Sequence, residues 1–119
     1  MSDEFLKVAT AEINNEISEI QNILNSCQSS LDVSANAAKI QKSTHKIKGL
    51  APMMGKEDLG NLSSLLDSLL KKIMNDIIAD EILEPLIIAV DEMKKSMTCS
   101  DYNLDKIKQR ISNISSALS

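Results

Sequence analysis

Seven positions, Val33, Ala37, Ile40, Thr44, Ile47, Ala51 and Met54, follow one another at steps of 4, 3, 4, 3, 4 and 3 residues. Only a helix of 3.6 residues per turn brings such positions onto one face, so this stretch predicts one long helix with a single buried stripe. Its neighbours repeat the pattern. Phe5, Ala9, Ile13, Ile17, Ile20, Ile23, Leu24 and Cys27 form an earlier seam, with Glu12, Glu16 and Glu19 between them. Leu59, Leu62, Leu66, Leu69 and Ile73 form a third. Leu83, Leu86, Ile87, Val90, Met93 and Met97 form a fourth, and Leu104, Ile107, Ile111, Ile114 and Leu118 a fifth.

The intervals between seams carry the stop signals. Gln28 to Asp32 reads as a loop, Gly55 and Lys56 end the second helix, and Asp76 to Asp80 separate the third from the fourth. Asp80 is placed to cap the fourth helix, whose first turn holds Pro85, where a missing N–H matters least. Ser96 to Asp101 reads as the last loop. The expected fold is therefore all-α, an antiparallel four-helix bundle with an appended fifth C-terminal helix, in a single domain over residues 1–119.

Composition removes several functions. With 119 residues, 43 % of them hydrophobic, the chain has material for one core and no more. Phe5 and Tyr102 are the only aromatic residues, too few for a platform that stacks bases. A net charge of −4 argues against nucleic acid and against anionic membranes as partners. No apolar run is long enough to span a bilayer. Asp3 and Glu4 stand where a secretory leader is basic, and Cys27 and Cys99 do not make a disulfide framework, so a reducing cytoplasm is the expected location. One His and two distant Cys cannot supply a zinc shell, and no calcium-loop spacing occurs. No metal and no cofactor are therefore expected in the chain itself. Gly49 to Glu57 superficially resembles a phosphate-binding loop. It has five residues between its glycines instead of four, Glu57 after the Lys instead of a hydroxyl, and no strand before it.

His45 is the remaining candidate for chemistry. It lies one position off the seam at Thr44, at the edge of the buried stripe. Gln41, Lys42, Lys48 and Gly49 are its neighbours three and four residues away. From Val33 to Lys56 there are five lysines and no acid. Cations beside an imidazole favour its neutral form, which is nucleophilic, and the same cations would stabilise a dianionic phosphoryl group placed on it. A mid-helix glycine costs about 1 kcal/mol relative to alanine, which makes sense where something must approach the ring closely.

The run from His45 through Lys48, Gly49 and Gly55, followed by Leu59, Leu62 and Asp67, resembles the histidine phosphotransfer domain. That family carries His-x-(Leu/Ile)-Lys-Gly, a Gly ten residues after the His, and then a Leu-rich helix. The resemblance is closest to the N-terminal phosphoacceptor domain of CheA-type chemotaxis histidine kinases. It implies a two-component phosphorelay. A separate ATP-binding histidine kinase domain would phosphorylate His45, and a response-regulator receiver domain would take the group onto an aspartate. ATP and magnesium would reside on those partners. Lys48 would match the phosphate-stabilising lysine, and Asp67 stands where relatives carry a Glu that orients the imidazole. Gln41, Lys42 and Gly49 would belong to the docking surface.

Three departures from the family pattern stand out. Asp67 is shorter than Glu by about 1.5 Å, Ser64 replaces a second His found in some relatives, and Pro52 removes the hydrogen bond its N–H would give to the Lys48 carbonyl. The residues taken without the resemblance also fit a non-enzymatic helical protein–protein interaction module.

Overall fold

The structure is a computed structural model that describes residues 2–77 and 79–118. Among the described residues there are five helices: α1 (Asp3–Asn25), α2 (Ser30–Met53), α3 (Glu57–Met74), α4 (Leu83–Thr98) and α5 (Asp105–Ala117). No strand occurs among the described residues, so the all-α class stands.

The first helix begins where Ser2 Oγ accepts the Phe5 N–H at 3.0 Å, with Asp3 and Glu4 in the first turn, where negative charge complements the helix dipole. It buries Ala9, Ile13, Ile17, Ile20 and Leu24. The seam of α2 is buried from Val33 through Ala51, and that of α3 from Leu59 through Ile73. Helix α2 lies against α1 and α3, α1 also packs on α4, and α5 packs on α3 and α4. The aliphatic stripes meet in one core containing Ile13, Ile17, Ile40, Ile47, Leu62, Leu66, Leu86 and Ile111.

The turn between α2 and α3 positions the candidate site. Helix α2 continues through Pro52 to Met53, and Gly55 then takes φ 79°, the left-handed region that favours glycine at a helix end. The Lys56 N–H closes the turn on the Ala51 carbonyl at 2.9 Å. Opposite, Gly60 of α3 receives the Pro52 ring. A Cβ added at Gly60 would stand 2.8 Å from Pro52 Cγ and 3.0 Å from Cδ, so the missing side chain is what lets the two helices approach there.

Several element ends differ from those the sequence predicts. Helix α2 already includes Ser30 to Asp32, so the first loop is only Ser26 to Ser29. Asp80 does not cap α4. Ile82 occupies the N-cap position, and its N–H donates to Ser30 Oγ at 3.0 Å, a partner 52 residues away. Residue 78, within the expected break, lies outside the described residues. Helix α4 extends through Ser96 and Thr98, whose hydroxyls donate to the Met93 and Lys95 carbonyls within the helix. Its buried stripe runs Leu86, Ala89, Val90, Met93, which leaves Ile87 exposed. Among the described residues, no helix is long and apolar enough to cross a membrane.

Candidate functional site

Three of the residues singled out in the sequence converge on a fourth, Asp67. Thr44 and Ile47 fix the rotation of α2 by facing the core, which brings His45 to the surface with its side chain 63 % exposed. On α3, Leu66 and Leu70 are buried and carry Asp67 inward, so that its side chain is only 1 % exposed. A carboxylate so buried needs partners. Gln41 Nε2 donates to its Oδ1 at 2.6 Å and Lys48 Nζ to its Oδ2 at 3.3 Å. Lys71, one turn further along α3, places Nζ 3.2 Å from the same Oδ2.

Burial alone would push the Asp67 carboxyl up. The hydrogen bonds from Gln41, Lys71 and Lys48, together with the charge of Lys71, outweigh it and hold Asp67 below its ordinary value. The group is thus a carboxylate in the folded protein at neutral pH.

His45 Nδ1 lies 3.7 Å from Asp67 Oδ1. That distance is beyond a hydrogen bond. Oδ1 is instead engaged by Gln41, so Asp67 reaches the ring as a nearby charge and not as a direct acceptor. Gln41, expected on a docking surface, therefore helps to hold the carboxylate.

Lys46 and Lys48, two positions apart on α2, are drawn to opposite sides. Lys46 pairs with Glu12 and Glu16 of α1 at 3.8 and 3.3 Å, while Lys48 turns to α3. Between them, Ala38, Lys42, Gly49, Pro52 and Met53 are exposed on the side of α2 that carries His45. A Cβ at Gly49 would meet nothing within 4 Å, so crowding of the ring would begin only with a side chain longer than alanine.

Sequence reasoning missed Lys71. Its spacing of four residues from Asp67 was the available signal, since such pairs face each other on a helix. Among the described residues, no three His, Cys, Asp or Glu side chains are grouped so as to hold a metal ion. Comparison with protein-family models, with curated proteins and with solved structures finds no match to this chain.

The arrangement has clear chemical capacities. An imidazole open to solvent stands beside a lysine, over a buried carboxylate that carries two ammonium groups. One carboxylate balances one of those charges, which leaves a local positive excess in a chain of net charge −4. Such a site favours an anion on or next to the ring.

Proposed function

We propose that this chain is a histidine phosphotransfer domain in which His45 accepts a phosphoryl group and passes it on. The observation that carries the reading is the exposed His45 ring on α2, beside Lys48 and 3.7 Å from the buried, ionised Asp67. The ring turns Nδ1 toward Asp67, which leaves Nε2 as the nitrogen for attack. The Nε2 lone pair attacks the terminal phosphorus of ATP held by a kinase domain. The N–P bond forms as the bond to the bridging oxygen breaks, and that electron pair leaves on ADP. Positive charge grows on the ring as it bonds to phosphorus, and Asp67 opposes it. Lys48 meets the negative charge on the transferring oxygens. In the second step a receiver aspartate oxygen attacks phosphorus, and the N–P electrons return to Nε2. ATP and magnesium belong to the partner domains in this reading.

The fold expected of such a domain is an antiparallel four-helix bundle with a fifth helix appended. The packing of α2 on α1 and α3, of α1 on α4 and of α5 on α3 and α4 is compatible with it. The cytoplasmic location and the chemotaxis branch of two-component signalling belong to the same proposal.

Phosphoramidate, a small N–P donor, tests the reading without a kinase. Intact-mass measurement should find one added phosphoryl group, lost in mild acid and retained in base. His45→Gln should take none while keeping its helical circular dichroism. No label from phosphoramidate, from a phosphorylated receiver domain or from ATP with a histidine kinase core would refute the relay. That result would favour an interaction module with His45 as plain surface.

A further inference from the structure

The structure points to a role for Lys71 that the relay alone does not assign: we propose that it is a second phosphoryl-binding cation, stored with Lys48 on Asp67 until the phosphoryl group arrives. The inference rests on the relay reading and extends it.

Both ammonium groups share a single oxygen, Oδ2, at 3.3 and 3.2 Å, although they come from different helices. The other oxygen accepts from Gln41 at 2.6 Å. The lysine side chains are 39 % and 54 % exposed, against 1 % for the carboxylate. The cations therefore sit at the rim, where a flexible arm can swing, while the anion is fixed inside. Through the carboxylate, the Lys71 ammonium and His45 Nδ1 are at most about 9 Å apart, the two contacts plus the width of the carboxylate itself. A phosphoryl group on the far side of the ring carries two negative charges and several acceptor oxygens. It competes for the lysines with a carboxylate that carries one.

When the lysines move over, Asp67 keeps Gln41 and faces the ring nitrogen that still bears its proton. The dianion takes two ammonium groups, and the carboxylate is left beside a ring whose positive charge has grown. No covalent bond changes beyond those of the transfer itself, in which the N–P bond forms as the donor's bond to phosphorus breaks.

A purely structural Lys71 would only neutralise Asp67, and the two roles separate in a double-mutant cycle. Wild type, Lys71→Ala, Lys71→Arg, Asp67→Asn and the Lys71→Ala, Asp67→Asn double variant are each labelled with phosphoramidate. The rate is followed by intact mass, and the bound group by its ³¹P chemical shift. Lys71→Ala should slow labelling by roughly tenfold and shift the ³¹P resonance, with most of the rate restored in Lys71→Arg. Removing Lys71 should still slow labelling and move the resonance when residue 67 is already Asn. An effect that vanishes in the Asp67→Asn background, or unchanged labelling in Lys71→Ala, overturns the role of Lys71 and leaves the relay standing. A wild type that takes no label overturns both.

Discussion

Gly49 and Gly60 lie on facing helices, and alanine should have opposite effects at the two. Alanine in a helix interior is favoured over glycine by about 0.8–1.0 kcal/mol. At Gly49 nothing opposes that gain, because a Cβ there meets no atom within 4 Å. Gly49→Ala should stabilise the protein by about 1 kcal/mol. At Gly60 the same gain is set against a Cβ placed 2.8 Å from Pro52 Cγ and 3.0 Å from Cδ. Comfortable carbon contacts are about 3.5–4.0 Å, and a proline ring is tied to its own backbone and cannot swing aside. The α2–α3 contact must open by several tenths of an ångström, an overpacking that costs about 1–3 kcal/mol. Gly60→Ala should therefore destabilise by up to about 2 kcal/mol. In a Pro52→Ala background the obstruction is gone, and Gly60→Ala should become neutral or stabilising. Urea titration followed by circular dichroism gives all four stabilities and the coupling between residues 52 and 60. Gly60→Ala as stabilising as Gly49→Ala, or a cost that survives the removal of Pro52, would refute this account of the turn.

Other expected outcomes follow from single contacts. Asp67 is held below its ordinary value of 3.8, so its charge adds stability above that pH, and the contribution is lost as pH falls through the folded-state value. Asp67→Asn should flatten the acid limb of stability in urea midpoints taken from about pH 6 to about pH 2; parallel limbs would mean that the lysines do not engage the carboxylate. Cys27 is buried, its thiol pushed up by burial and by the Asp32 charge, while Cys99 is exposed. Ellman's reagent should modify Cys99 in the native protein and reach Cys27 only in urea, and two fast native thiols would contradict the burial of Cys27 in the loop after α1. Lys48→Ala should keep the fold and slow phosphoramidate labelling of His45, with an unchanged rate marking Lys48 as plain surface. Gly49→Trp should slow transfer to a receiver domain far more than it slows phosphoramidate labelling.

The 3–4 spacing alone was enough to read the helical class and the buried faces of α1, α2 and α3, because each has only one continuous aliphatic stripe. Helix α4 was harder. Ile87 and Ile88 compete with Ala89 for the inward face, and Ala89 takes it while both isoleucines stay exposed, an outcome of tertiary packing that local pattern does not carry. The sequence ends α4 too early because Ser96 and Thr98 look like loop residues, whereas their hydroxyls bond back onto the helix. The start of α4 depends on Ser30, far away in sequence. At the site, His45 lies one position off Thr44 and Asp67 one off Leu66, and the structure brings the two within 3.7 Å with His45 exposed and Asp67 buried. That Gln41 would claim Oδ1 follows only from the helices' relative register.

The strip of α2 around His45 has an entropic consequence. Ala38, Gly49 and Pro52 have essentially no rotamer freedom to lose when a surface closes over them, whereas Lys42, Lys46 and Met53 beside them do. A macromolecule that settles on the small residues of this strip freezes few side chains there. In the proposed relay, this part of the face costs little to order at each encounter and is left unchanged by it.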